Sequence, residues 1–163
     1  MEESEVKLKD ENRQPATISS VKSVAKLLTM YEPDVLASVL LDVGGSRKVP
    51  LSSLVINQEV AHDILWSERT IKNVGYFVYG TVASISRLEK VVFIDFEKVN
   101  DTSFTLVVFE KYFKHFTYKT GDLEGYDILV YGFLKKNEYN GKNKTEMVIK
   151  SNKYIEKIQK SKV

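Results

Sequence analysis

The chain has 163 residues, 43% of them hydrophobic, which is enough for one domain with its own core and too little for two. It holds no cysteine, so disulfide staples, thiolate metal sites and a thiol nucleophile are excluded. The formal net charge is only +2, but residues 133–163 carry nine lysines against three glutamates while residues 1–16 carry five acids against three bases. That asymmetry points to an electrostatic partner near the C-terminal third, unless the lysines merely solvate an edge strand and tail.

Residues 1–16 are charged and end near a proline, so they read as a disordered leader and not as the apolar part of a secretory signal. No apolar stretch is long enough to span a bilayer, and a soluble intracellular protein is expected. From Thr17 to Tyr31, Val21, Val24, Leu28 and Tyr31 recur at helical spacing behind Ser19 and Ser20, and Pro33 closes the segment. One amphipathic helix fits. Over 37–56 two readings stand: a hairpin turning at Gly44-Gly45, with Val39, Leu41 and Val43 on one arm and Val49 and Leu51 on the other, or a buried helix over Asp34 to Leu41. Asn57 to Thr70 shows no period and reads as a connector whose lone tryptophan, Trp66, packs on the strand-rich region after it. Together, residues 17–70 form an N-terminal helix and an extension.

Residues 71–157 carry five strand patterns. Strand one runs from Ile71 to about Ser86, strand two from Val91 to Lys98, and strand three from Ser103 to Phe109, with a polar turn at Val99-Asn100-Asp101 between the last two. The period then changes: Phe109, Phe113 and Phe116 make an aromatic stripe on a short helix suited to plugging the bottom of a barrel. Strand four runs from Tyr126 to about Lys136, and Asn140-Gly141 turns the chain into strand five, Lys144 to about Ile155. Residues 158–163 are left as a basic tail.

Two of these strands share a phrase, Val78-Tyr79-Gly80 and Val130-Tyr131-Gly132, in which one glycine interrupts a run of strand formers, the mark of a buried strand that bends sharply. Three strands, a helix and two strands is the order of a five-stranded Greek-key barrel of the oligonucleotide/oligosaccharide-binding (OB) type, and the fold class is mainly β. Strand parity puts Tyr76, Val78, Val82, Ile128, Val130 and Leu134 in the core. The same parity turns Phe77, Tyr79, Leu129, Tyr131 and Phe133 outward. Four of these, Phe77, Tyr79, Tyr131 and Phe133, form a candidate partner-binding set, to be covered by the N-terminal segment, another protein or a nucleobase.

No catalytic constellation is evident, and neither enzyme activity, a metal site nor a cofactor is expected. His62 and His115 are far apart and read as surface residues; Gly44-Gly45-Ser46-Arg47-Lys48 lacks the spacing of a phosphate loop; Asp95 and Glu97 alternate as solvated strand positions do. The stretch from Lys135 to Lys144 differs, combining Lys135, Lys136, Lys142 and Lys144 with Tyr139, a mixture that can track a phosphate backbone and stack a base. In an OB fold this loop and the one between strands one and two flank the ligand groove across strands two and three. The first loop adds Arg87 and Lys90 on the same side, and Phe93 on strand two is the candidate stacking platform between them. Only Arg13, Arg47, Arg69 and Arg87 are arginine, so the chain is better equipped to hold phosphates than to read base edges.

From Lys48-Val49-Pro50-Leu51-Ser52-Ser53-Leu54, through Thr70-Ile71, Phe77-Val78-Tyr79-Gly80-Thr81-Val82 and Phe93-Ile94-Asp95, to Leu129-Val130-Tyr131-Gly132-Phe133-Leu134 and the lysine loop, the chain resembles the OB domain of the replication protein A middle subunit and of small subunits in CST-type telomere-capping complexes. The resemblance implies a single-stranded DNA-binding subunit working with other OB-fold subunits in replication or telomere maintenance, in the nucleus; without it, the cytoplasm is expected. The family's further helix and winged-helix domain have no counterpart after Glu156, and the Val21 to Tyr31 helix is a candidate replacement. Two other readings stay open: an OB adaptor that holds a partner protein through the exposed aromatics, and a domain that binds tRNA or another structured RNA. Neither a membrane nor a small-molecule substrate is expected as a partner.

Overall fold

A computed structural model describes residues 5–7, 21–22, 24–26, 40–44, 47–116 and 120–160. It is mainly β, with eleven strands among the described residues: β1 Glu5–Lys7, β2 Leu40–Gly44, β3 Arg47–Pro50, β4 Val55–Asn57, β5 Tyr76–Arg87, β6 Val91–Phe96, β7 Phe104–Phe109, β8 Tyr126–Gly132, β9 Leu134–Tyr139, β10 Lys142–Val148 and β11 Ile155–Lys160. Two α-helices accompany them, α1 Leu51–Leu54 and α2 Gln58–Trp66. Of the expected N-terminal helix, residues 21, 22 and 24–26 are helical, with Val21, Val24 and Ala25 buried; Leu28 and Tyr31 lie outside the described residues.

The expected hairpin near Gly44 is present as antiparallel β2 and β3, and Leu40 begins a strand, not the end of a helix. Within the segment expected to be a disordered leader, Glu5–Lys7 pairs in parallel with β2; the remainder lies outside the described residues. The larger sheet is mixed, in the order β11-β8-β5-β6-β7-β10-β9, with β4 parallel to β5. The β5-β6-β7 meander and the parallel pairing of β10 with β7 give it OB-like connectivity.

Strand four is two strands. Gly132 pairs with Tyr76 on β5, whereas Leu134 pairs with Met147 on β10, so the chain changes partners across Phe133 and turns a corner there. Among the described residues no ladder joins β9 to β8; the chain itself connects these two parts of the sheet. Strand five is also divided, because β10 ends at Val148 and the chain returns as β11, antiparallel to β8. Residues 158–160 of the expected basic tail therefore belong to a strand, and the rest of it lies outside the described residues. Both two-residue turns form as the sequence implies, with positive φ at Asn100 (50°) and Asp101 (65°) and at Asn140 (51°) and Gly141 (74°).

Where the sequence pattern implies an aromatic α-helix after strand three, the chain forms a 3-10 helix, Glu110–His115. Phe113 within it and Phe116, the extended residue that follows it, pack half-buried against the core, while Phe109 stays behind on β7, 38% exposed. The stripe is therefore divided between a strand and the segment after it. Helix α2 packs against β9, β10, β4 and β5. Asn57 caps it, its side chain accepting a hydrogen bond from Val60 N at 2.9 Å, and Gln58, Ala61 and Leu65 form its buried stripe. Gln58 Nε2 donates to the backbone oxygens of Glu97 and Thr102 at 2.7 and 2.9 Å, strapping the helix to the β6–β7 turn. The connector assigned to 57–70 is thus largely helical; its signal was hidden because a glutamine holds one position of the stripe.

The inward-facing residues Tyr76, Val78, Val82, Ile128 and Val130 are buried, and Leu134 is partly so. The opposite face corrects the parity argument: Phe77 and Leu129 have no exposed surface and Tyr131 has 5%. They face away from the sheet interior, but the chain covers them. One apolar cluster joins them to Val21, Val24, Ala25, Leu51 and Leu54, and Tyr131 lies against Phe77 (ring centroids 4.8 Å apart) and Tyr154 (6.4 Å). Strands β5 and β8 are therefore apolar on both faces.

Candidate nucleic-acid interface

Strand register shows which side chains share the outer face of the sheet. Ser86 pairs with Phe93, Phe93 with Val107 and Val107 with Val148; in the next row run Ser84, Asp95, Thr105, Glu146 and Lys135. Side-chain hydrogen bonds agree with this placement. Thr105 Oγ1 donates to Asp95 Oδ1 at 2.6 Å, and Asn137 Nδ2 donates to Glu146 Oε2 at 2.8 Å. Beyond this row the β9–β10 hairpin continues the same face, with Lys144 opposite Asn137 and Lys142 opposite Tyr139.

Tyr139 is 59% exposed, and Lys144 Nζ lies 5.3 Å from its ring centroid. A cation beside an exposed aromatic face offers a base something to stack on and a phosphate something to pair with. Phe93 is half-buried at the middle of the face, Lys135 is exposed next to Glu146, and Lys142 is exposed at the tip. Register thus brings Phe93, Lys135, Tyr139, Lys142 and Lys144 onto one face.

Lys136 is not among them. Alternation along β9 turns it to the opposite side, where it pairs with Thr145 in the ladder, reaches Glu68 Oε2 at 3.3 Å and lies 5.1 Å from the Trp66 ring centroid. Thr145, 1% exposed, also ties this side to α2: Trp66 Nε1 donates to its Oγ1 at 3.3 Å, and His62 Nδ1 lies 2.9 Å from the same oxygen. Since an indole can only donate, the threonine hydroxyl proton is free to go to His62 Nδ1. His62 is therefore a structural partner of a strand and not a solvated residue, and Lys136 belongs to the clasp that fixes α2 to the hairpin.

Arg87 and Lys90 are both exposed, on the loop at the other end of the face from the lysine hairpin. Val91 pairs with Phe109 at the end of β7, whereas Thr145 pairs with Phe104 at its start, so the two loops flank the face from opposite ends. Of the candidate partner-binding aromatics, Phe77 and Tyr131 are core residues, Phe133 is half-buried at the strand-four corner, and Tyr79 is 40% exposed. Thr105, Asn137 and Glu146 were not foreseen on the face. Strand alternation alone could have placed them, once the pairing of strand five with strand three was known.

Among the described residues no group of three or more His, Asp or Glu side chains could hold a metal ion, and no helix is long and apolar enough to cross a membrane. No protein-family model and no curated protein matches the chain. Solved structures that resemble it include one described as an aspartyl-tRNA synthetase from Leishmania major Friedlin, 13% identical over 66% of this chain with a TM-score of 0.43. Another is an aspartyl-tRNA synthetase from Entamoeba histolytica, 11% identical over 55% of the chain with a TM-score of 0.38. The matched regions make up 21% and 19% of those longer proteins.

Proposed function

We propose that the chain is a non-catalytic OB-barrel domain that binds single-stranded nucleic acid on the outer face of β6, β7 and β10 and on the β9–β10 hairpin. The observation that carries this reading is the register that collects Phe93, Lys135, Tyr139, Lys142 and Lys144 on one outward face. Lysines there hold phosphates as point charges, and Tyr139 and Phe93 offer ring surface to bases, which favours backbone tracking over base-edge reading. A place beside other OB-fold subunits in a replication or telomere-maintenance complex is the finer part of the proposal and rests on the sequence resemblance. Tyr79 is the aromatic best exposed for such a contact. The adaptor reading retains Tyr79 and the half-buried Phe133, but loses Phe77 and Tyr131 to the core.

Fluorescence anisotropy with one sequence as single-stranded DNA, as RNA and as duplex DNA, at several salt concentrations, tests the reading. Single strands should bind better than duplex. Replacing Lys142 and Lys144 with glutamine should weaken binding evenly across sequences and reduce the slope of log affinity against log salt by about 0.7 for each lost phosphate contact. Unchanged affinity and slope would remove the hairpin from the site, and equal weakness toward all three ligands would favour the adaptor.

A further inference from the structure

We infer that the nucleic-acid site is bipartite: Lys111 and Lys114, on the 3-10 helix that follows β7, join Arg87, Lys90 and Phe109 in a second phosphate-gripping cluster at the far end of the face from the lysine hairpin. The inference rests on the proposed single-strand binding and adds Lys111 and Lys114, which the sequence pattern did not single out.

Three observations build the cluster. Glu110 N donates to Lys90 O at 3.0 Å, which sets the β5–β6 loop directly against the start of the 3-10 helix. Side chains three apart in such a helix stand on the same side, so Lys111 and Lys114, both exposed, share one side while Phe113 packs on the core. Phe109, paired with Val91 and 38% exposed, supplies an open ring at the edge of the same outer face. Lys111 Nζ also lies 5.2 Å from the Tyr112 ring centroid, repeating the lysine-on-tyrosine arrangement of the hairpin.

The acidic residues define the path between the two ends. Glu89 and Glu110 are exposed near the second cluster, but among the described residues neither is ion-paired with Arg87, Lys90, Lys111 or Lys114. The middle of the face carries the Asp95–Thr105 and Asn137–Glu146 pairs, two carboxylates that repel phosphate. A bound strand is therefore gripped by its phosphates chiefly at the two ends, with Lys135 beside Glu146 at the rim of the central row, while Phe93 and the amide and hydroxyl groups meet its bases. Extending the β10–β7 register, Lys142 stands about eight residues along the strand direction from Phe109, or about 26 Å at a rise of roughly 3.3 Å per residue. Oligonucleotides too short to span that distance engage one cluster only, while longer ones gain from two linked contacts.

The test is a length series of homopyrimidine oligonucleotides of four, eight and twelve nucleotides, in deoxy and ribo form, titrated against the full chain and against Lys111→Gln/Lys114→Gln and Lys111→Glu/Lys114→Glu. The full chain should show a step in affinity between the lengths that cannot and can span the face. The variants should bind the shortest oligonucleotide as the parent does, lose the step by tenfold or more on the longest, and lower its salt slope by about 1.4, two contacts at about 0.7 each. Both lysines are exposed, and an unchanged melting temperature would show that the fold is retained. Parent-like affinity and slope of both variants for the longest oligonucleotide would overturn the second cluster while leaving single-strand binding intact. Absence of binding by the parent chain to every length would overturn both.

Discussion

The two glycines of the repeated Val-Tyr-Gly phrase differ in what surrounds them. A Cβ on Gly80 would sit 2.4 Å from Phe96 Cδ2 and 3.1 Å from Gln58 Oε1, and Phe96 is held by Phe104 at a ring separation of 5.0 Å. A Cβ on Gly132 would meet Met147 Cγ at 2.7 Å and Sδ at 3.0 Å, a side chain with several torsions through which to give way. Gly80→Ala should therefore cost about 1–3 kcal/mol through overpacking. Gly132→Ala should cost less, since part of the clash is relieved and the unfolded chain loses some of its entropy. Urea denaturation of the two variants ranks them, and the opposite order would mean that the Phe96 ring yields more readily than the thioether. The sequence marked both positions as bends but could not separate them, because the neighbour each glycine must accommodate comes from a different strand.

At the scale of elements, most strands were legible and helix α2 was not. Alternating apolar residues and the Asn-Asp and Asn-Gly turns located β6 and β7 and the starts of β8 and β10 within a few residues, since each signal is local, but ran β8 into β9 and carried strand five past the end of β10. Helix α2 escaped because its buried stripe starts with Gln58, whose amide is useful only once the β6–β7 turn offers it two carbonyls. Its 2% exposure makes this strap testable. Gln58→Leu keeps much of the volume but strands the Glu97 carbonyl and leaves Thr102 O only its bond from Val99 N, and should destabilise the chain by about 1–3 kcal/mol, read from the denaturation midpoint. A loss below about 0.5 kcal/mol would mean that water replaces the amide and that the helix is held mainly by Ala61 and Leu65. The candidate site was legible in kind for the same reason as the strands: lysines alternating with a tyrosine are visible in one segment. That Lys136 turns to Trp66, and that Arg87 and Lys90 stand at the other end of the face, depends on register between segments far apart in sequence.

Over the whole molecule, Val21, Val24, Ala25, Leu51 and Leu54 belong to the same apolar core as the strands. Strand alternation sets Phe77, Leu129 and Tyr131 on one face but cannot say that the rest of the chain buries them, because nothing in a strand's own sequence identifies what packs on it. Burial of each such side chain contributes about 1.5–3 kcal/mol, and three of them together are comparable to the 5–15 kcal/mol net stability of an ordinary domain. A chain beginning at residue 71 would lose β4, α1, α2 and the Val21–Ala25 segment, exposing this face and removing the Gln58 strap. It should bind a dye specific for exposed apolar surface and lose its cooperative thermal transition. A chain beginning at residue 51 keeps α1, β4 and α2 and, among the described residues, gives up Val21, Val24 and Ala25 from the buried cluster and the partly buried Val49, so it should still melt cooperatively, at a lower temperature. A sharp transition in the shorter fragment, without dye binding, would show that the strands alone make a stable unit and that the N-terminal layer is an accessory to it.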